Sequence, residues 1–251
     1  TNTISSSNAA TYDPPSGLTN TTWYRRQAND ATCNTTPETS TGTWKVTVYD
    51  AFIPGEIETT GETICYNGDP TLIGSSTAAS GGNGTITYQW QLSTDNFSMV
   101  TSTISNSNSI TYDPPTGLTT TTYYRRQAKD ATCNTTFTSS TGVWEVTVYD
   151  DFDPGTIVSS GETICYEGNP VLIGNSGSAS GGDGSYNYQW QSSTDGQYTG
   201  YSDITGANSV SYDPPTGLTT TTYYRRQVKD ATCNTTFENS SGIYLVTVYS
   251  D

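Results

Sequence analysis

Histidine is absent from the chain, and nine lysine and arginine residues stand against 24 aspartate and glutamate residues. Without histidine, the Ser-His and Cys-His arrangements of nucleophilic catalysis cannot form, and the usual acid–base group of neutral pH is missing. The net charge of −15 repels the phosphate backbones of nucleic acids and anionic lipid surfaces. No run of the sequence approaches the ~20 apolar residues of a transmembrane helix. The composition therefore argues against an enzyme, a nucleic-acid partner and direct membrane insertion.

What the chain does contain is an internal repeat with a period of 100 residues. The sequence Tyr-Asp-Pro-Pro begins at residues 12, 112 and 212, and residues 112–137 differ from residues 212–237 only at Ala128 against Val228. A unit of 100 residues has the size of a complete small domain, so the repeat indicates an array of like modules.

Pro-Gly pairs after a Val-Thr-Val-Tyr run mark the joints between the modules. We predict complete modules at residues 53–152 and 153–251. Residues 1–52 match only the C-terminal half of a module, because they lack the positions that correspond to Cys65 and Trp90. The simplest interpretation is an excerpt from a longer array. The alternative is that another chain supplies the missing strands, since an open half-sandwich exposes unpaired edges.

Each module shows the pattern of half-buried β-strands. Apolar and polar residues alternate in residues 86–91 and 144–149, and clusters of turn residues such as Gly81-Gly82-Asn83-Gly84 separate these runs. No segment has the three-four spacing of an amphipathic helix. The pattern predicts an all-β fold of tandem immunoglobulin-like β-sandwich modules. We expect Trp90, Trp190 and Trp144 in the cores.

The five cysteines follow the same period. Cys65 and Cys133 are 68 residues apart, as are Cys165 and Cys233, whereas the partner of Cys33 would precede the first residue. The spacing predicts one disulfide in each module, Cys65–Cys133 and Cys165–Cys233, with Cys33 unpaired. Such bonds would place the protein outside the cytoplasm. The alternative is a set of five reduced, buried thiols.

Each repeat also carries an arginine pair, at 25–26, 125–126 and 225–226. Alternation along a strand turns the two side chains to opposite faces, so one guanidinium must lie inward. An inward guanidinium needs carboxylate or carbonyl partners or an aromatic ring. The pair is either a structural staple or, if the outward arginines form a row, an anion-binding surface. The sequence does not decide which arginine points inward.

Two weaker candidate sites lie near the module ends. Asp150, Asp151 and Asp153 gather three carboxylates at one joint, where calcium could bind. The matching joint at residues 50–53 retains only one, which weakens this hypothesis, and we expect no cofactor. Tyr49, Tyr149 and Tyr249 fall on the polar face of the last strand and are candidates for contact with a glycan.

Five short motifs carry a resemblance to a known family. They are Pro154-Gly155-Thr156-Ile157, Ile164-Cys165-Tyr166-Glu167-Gly168, Tyr188-Gln189-Trp190-Gln191-Ser192, Thr222-Tyr223-Tyr224-Arg225-Arg226 and Val246-Thr247-Val248. Together they resemble the repeat modules of very large surface adhesins of Bacteroidota, which include the gliding-motility adhesins of flavobacteria. The resemblance implies an extracellular, cell-surface filament that is exported by type IX secretion.

These observations predict a mechanical function. Disulfide-stapled modules with very short linkers would form a stiff stalk for surface attachment or gliding motility. Its partners would be surfaces or polysaccharides, together with neighbouring modules of the same chain. The alternatives are a multivalent carbohydrate-binding array, in which repeated weak sites add up, and a subunit of a strand-complemented extracellular polymer.

Overall fold

The computed structural model describes residues 2–249, in which strands and turns occur and no helix is present. No described helix is therefore long and apolar enough to cross a membrane. Residues 2–52 form four short strands, which are β1 (Thr22–Tyr24), β2 (Gln27–Ala28), β3 (Glu38–Thr39) and β4 (Trp44–Val46).

The first complete module contains one six-stranded sheet. Its strands are β5 (Glu62–Ile64), β6 (Ile86–Ser93), β7 (Ser102–Thr103), β8 (Thr122–Asp130), β9 (Thr138–Ser139) and β10 (Trp144–Val148). The order across the sheet is β5-β10-β8-β6-β7, and β9 also pairs with β8. Strand β5 lies parallel to β10, whereas the other pairs are antiparallel.

The second complete module repeats this arrangement. Its strands are β11 (Thr156–Ile157), β12 (Glu162–Cys165), β13 (Asn175–Gly177), β14 (Asn187–Ser193), β15 (Ser202–Asp203), β16 (Thr222–Lys229), β17 (Glu238–Asn239) and β18 (Tyr244–Tyr249). The order β12-β18-β16-β14-β15 matches that of the first module, with β17 on β16.

The layer that faces each sheet is thin. In the first module it consists of single bridges, Glu56 to Thr77, Ile73 to Tyr112 and Gly68 to Leu118. In the second module the first of these bridges lengthens into the pair β11–β13. Two facing layers with a shared interior form a sandwich, and the prediction of tandem immunoglobulin-like β-sandwich modules is confirmed.

The predicted tryptophans lie between the two layers. Trp90 and Trp190 are fully buried, and Trp144 is buried on β10, on the other side of β8 from Trp90, where the second module has Tyr244. The indole of Trp90 donates a hydrogen bond to the Ser109 carbonyl at 3.0 Å. Burial of each large aromatic side chain contributes about 2–3 kcal/mol to the stability of its module.

Strand β8 alternates strictly between buried and half-buried residues. Thr122, Tyr124, Arg126, Ala128 and Asp130 are the buried set. Burial raises the pKa of Tyr124 to about 12, and its hydroxyl has no hydrogen-bond partner. The same alternation decides the orientation of the arginine pair, because Arg126 and Arg226 point inward and are fully buried.

The Arg126 guanidinium uses all five of its N–H donors. It binds the hydroxyls of Ser140 and Ser75 at 3.1 and 2.7 Å. It also binds the carbonyls of Ile110, Glu56 and Thr77 at 2.9–3.1 Å. The Tyr88 ring lies 5.0 Å from the guanidinium carbon. No carboxylate takes part, so burial lowers the pKa of Arg126. Its position supports the structural-staple interpretation.

Residues 2–52 lack the strands that would complete their sandwich. Strand β1 pairs with β4 in the register of β8 with β10, Thr22 opposite Val46 and Thr122 opposite Val146. The surfaces that are buried in the complete modules are open in this half. Trp44 is 70% exposed, whereas the equivalent Trp144 is 5% exposed.

We predict that Arg126→Lys destabilises the first module by about 2–4 kcal/mol. A lysine has a single donor atom and leaves several buried carbonyls and hydroxyls without partners. The matched control is Arg125→Lys. Arg125 is half-buried and binds Gln91, so its loss should cost less than about 1 kcal/mol. Urea unfolding followed by tryptophan fluorescence measures both changes. Equal costs for the two variants would contradict the role of Arg126.

Candidate functional site

A disulfide bond joins the two complete modules. Cys65 of the first module is bonded to Cys233 of the second, with a Cα–Cα distance of 5.4 Å and a sequence separation of 168 residues. Cys33, Cys133 and Cys165 carry free thiols and are exposed. The predicted pairs Cys65–Cys133 and Cys165–Cys233 are therefore wrong. The observed bond still joins a cysteine of an Ile-Cys-Tyr sequence to a cysteine of a Thr-Cys-Asn sequence, but the two belong to different modules.

The direction of strand β8 explains this correction. We call the end of a module at which the chain enters its proximal end and the opposite end its distal end. Cys65 follows β5 at the distal end, where the Tyr149 N–H donates to the Ile64 carbonyl at 3.0 Å. Strand β8 starts there, with Thr122 opposite Val146, and runs back to Asp130 and Cys133 at the proximal end.

The length of β8 separates the two cysteines of one module. Nine residues in extended conformation span about 27 Å, whereas a disulfide requires Cα atoms less than about 7 Å apart. Cys65 and Cys133 therefore cannot meet within the folded module. The distal end of the first module, however, lies against the proximal end of the second, which brings Cys65 to Cys233.

Asp230 holds the loop that carries Cys233. Its Oδ1 accepts hydrogen bonds from the backbone N–H groups of Thr232, Cys233 and Asn234 at 2.7–2.9 Å. Its Oδ2 accepts from the Asp183 N–H at 3.3 Å. The carboxylate is almost completely buried. It thereby fixes the cysteine loop to the glycine-rich turn at the proximal end.

Asp130 has the same position in the first module. Its carboxylate accepts backbone hydrogen bonds from Asn83, Asn134 and Cys133, and these bonds hold its pKa below the usual range. Asp130 was not among the residues predicted from the sequence. The available signal was the run Asp-Ala-Thr-Cys-Asn, which begins at residues 30, 130 and 230. An Asp a few residues before such a loop commonly accepts hydrogen bonds from the backbone.

The peptide linker between the modules is fixed as well. The Gly182 N–H donates to the Asp150 carbonyl, and Asp153 and Ser180 exchange two backbone hydrogen bonds, all at 2.9 Å. Gly181 has a φ of 69°, and a Cβ there would collide with the Asp151 carbonyl. A side chain at this position would push the linker off the second module. Two covalent connections and this set of hydrogen bonds therefore hold the joint.

The three aspartates of the joint do not converge on one point. The Asp153 carboxylate accepts the Gly155 N–H at 2.8 Å, as in a turn. Among residues 2–249, no group of three or more His, Cys, Asp or Glu side chains is placed to hold a metal ion.

The three candidate glycan-contact tyrosines lie at distal ends and differ in exposure. Tyr149 is half-buried beside the joint, whereas Tyr49 and Tyr249 are 45% and 67% exposed. Each of the three belongs to a different repeat unit.

The outward arginines are covered by aromatic rings. The guanidinium of Arg125 stacks on Phe97 at 4.1 Å and binds Gln91 at 2.8 Å. Arg225 stacks on Tyr201 at 4.0 Å and binds Gln191 at 2.6 Å. Because one face of each guanidinium is occupied and one N–H is already bonded, these side chains are less suited to an anion-binding row than free arginines would be.

Comparison with known sequences assigns the chain to a family. The family described as Domain of unknown function (DUF8696) matches residues 53–149 and 153–250. The chain belongs to this family. Each match covers most of one complete module. No curated protein matches the chain.

Solved structures that resemble the chain consist of several domains each. Drosophila OTK extracellular domains 3–5 share 12% identity at a TM-score of 0.37, covering 85% of this chain and 67% of that one. Human mucin-like protocadherin EC1-2 shares 12% identity at 0.36, covering 78% and 98%. Titin domains A168–A170 share 15% identity at 0.33, covering 92% and 75%.

We predict that peptide mapping of the oxidised chain without reductant recovers a Cys65 peptide linked to a Cys233 peptide. Cys33, Cys133 and Cys165 should react with iodoacetamide in the native protein because their thiols are exposed. Cys65→Ser should release Cys233 for alkylation, whereas the control Cys165→Ser should leave the bond intact. Recovery of a Cys65–Cys133 peptide would overturn the assignment.

We further predict that Asp230→Asn speeds the reduction of the Cys65–Cys233 bond by dithiothreitol about tenfold. An amide has one acceptor oxygen, so its NH₂ group would face a backbone donor and loosen the loop. The matched control is Asp213→Asn, in an exposed turn of the same module, which should leave the rate unchanged. Mass spectrometry of samples quenched with acid gives both rates. Equal rates would show that Asp230 does not position Cys233.

Proposed function

We propose that the chain is a segment of an extracellular stalk that carries tension, in which each module is fixed to the next by a peptide linker and a disulfide. The observation that carries the proposal is the Cys65–Cys233 bond, which crosses the joint instead of closing a loop within one module. A bond in that position adds little to the core of either module. It constrains how the modules are connected.

The bond also bears on localisation. Disulfides form and persist in oxidising environments and are rare in the cytoplasm, so the bond indicates a non-cytoplasmic protein. The repeat motifs suggest the surface of a bacterial cell, and we propose surface attachment or gliding motility as the use of the stalk. Export by type IX secretion belongs to the same proposal.

The position of the bond determines which residues carry force. When the chain is pulled at its ends, tension passes from Cys65 through the disulfide to Cys233. The residues between Cys65 and Cys233, which are 168 positions apart in sequence, then carry no load. Unfolding of either module cannot lengthen the stalk through those residues. A bond within each module would protect only 68 residues per module and would leave the joint itself under load.

The negative net charge agrees with a filament that stands among many copies of itself. The net charge of −15 keeps neighbouring stalks apart and soluble. The chain has no histidine to act as an acid–base group at neutral pH, and we propose that the segment is not catalytic. Its partners in this proposal are the neighbouring modules and the surface or polysaccharide to which the filament attaches.

Single-molecule pulling tests the load path. With about 3.5 Å of extension per residue, the oxidised chain should extend about 600 Å less than the reduced chain, because 168 residues are withheld. Two bonds within modules would instead withhold about 480 Å in two equal parts. Cys65→Ser should reach the full extension without reductant, whereas Cys165→Ser should behave as the oxidised parent. Full extension of the oxidised parent chain would refute the proposal.

A further inference from the structure

We propose that the distal end of the second module is a docking and disulfide-bonding site for the proximal end of another copy of this repeat, with Cys165 as the bonding residue. In the bond that forms, Cys165 pairs with the residue equivalent to Cys233. This inference deepens the proposed stalk and rests on it for its biological meaning. Its geometry rests only on the joint between residues 53–152 and 153–249.

Cys165 and Cys65 occupy equivalent positions at the distal ends of their modules. Cys165 ends β12, opposite Tyr249 of β18, as Cys65 follows β5 beside Tyr149. Both cysteines lie in the sequence Glu-Thr-Ile-Cys-Tyr. The distal end of the first module receives a proximal end and bonds to it. The distal end of the second module presents the same backbone and the same thiol.

The two distal ends differ in solvent exposure. At the joint that is formed, Cys65 and Tyr149 are half-buried, whereas at the second distal end Cys165 is exposed and Tyr249 is 67% exposed. The differences are those expected when a docked proximal end covers one surface and not the other.

The proximal end is prepared for bonding before any bond forms. Cys133 is a free thiol, yet Asp130 holds its loop with hydrogen bonds of 2.6 Å from Cys133 and Asn134. Asp230 holds the bonded Cys233 in the same way. Residues 2–52 supply no cysteine equivalent to Cys65, which agrees with the free state of Cys133. The loop is therefore a preformed half of the site, and its bonding partner is a distal end.

The chemistry of bond formation is a two-electron oxidation. The two thiols lose two protons and two electrons as the S–S bond forms, and a small-molecule disulfide such as oxidised glutathione takes them up and leaves as two thiols. The reaction proceeds through a mixed disulfide on one of the cysteines. Cys165 is exposed and can accept the glutathione half.

Repetition of the bond would produce two interleaved covalent paths along an array. Each bond would skip the 168 residues seen here. Consecutive bonds of one path would be connected by a stretch like Cys133 to Cys165, 32 residues apart in sequence. Every module would then be bonded to the module before it and to the module after it.

The test extends the full chain at its C terminus with a second copy of residues 152–251, which preserves the 100-residue period. After oxidation with glutathione disulfide, non-reducing peptide mapping should find Cys165 linked to the added copy of Cys233, with Cys65–Cys233 retained. A Cys165→Ser variant of the extended chain should leave the added Cys233 copy free. A free Cys165, or a bond between the added copies of Cys165 and Cys233, would overturn the proposal.

A second measurement does not depend on folding of the extended chain. The Cys33→Ser, Cys133→Ser double variant exposes only the distal thiol, and the Cys33→Ser, Cys165→Ser double variant exposes only the proximal thiol. When the two are mixed with oxidised glutathione, a Cys165–Cys133 heterodimer should exceed either homodimer at least about tenfold. Equal yields, or no heterodimer, count against the site. The pulling experiment on the unextended chain is unaffected by this result, so the two proposals fail separately.

Discussion

The Arg126 guanidinium, with its counterpart Arg226, is the interaction on which each module depends. The layer that faces the sheet has too few backbone pairs to hold its segments by strand pairing. In the first module, three of those segments instead offer carbonyls or a hydroxyl to one planar cation on β8. A buried charge without a carboxylate is costly unless all its donors are satisfied, and five partners meet that condition. The guanidinium thus replaces a strand network that the short segments cannot form.

The arginine also connects the core to the joint. The Glu56 carbonyl that it binds lies just after the linker Pro54-Gly55, and the Ser140 hydroxyl that it binds donates in turn to the Pro54 carbonyl at 2.7 Å. The entering chain is therefore tied to the centre of the sheet. Because β8 then continues to Asp130 at the proximal end, one strand carries both the core staple and the anchor of the cysteine loop. In the second module, Asp230 directly follows the corresponding strand β16 and holds the loop of the bonded Cys233, so the disulfide is anchored to the central strand of the sheet.

Sequence patterns predicted the period, the all-β class and the need for one inward arginine, because each follows from local alternation or from direct repetition. They could not predict the cysteine pairing. In an array with a period of 100 residues, spacings of 68 and 168 are equally regular, so sequence separation does not distinguish a bond within a module from one between modules. The deciding fact is that β8 crosses the module between Thr122 and Asp130. Asp130 was missed for a related reason, since its partners include Asn83 in a turn far away in sequence.

The two modules differ strongly in one exposed loop, where they share only an aromatic ring under the outward arginine, Phe97 in one and Tyr201 in the other. Residues 112–137 and 212–237, which contain the arginine and the cysteine loop, differ at one position, whereas residues 96–101 and 196–201 share none. The divergent stretch contains Met99 and Tyr198, which are 91% and 80% exposed. A proximal end must fit the distal end of any neighbouring module. A substitution at the proximal end would therefore need a compensating substitution at the distal end that contacts it. The exposed loop has no such partner. Contacts that are specific to one module are therefore most easily placed on that loop, and the joint is left uniform.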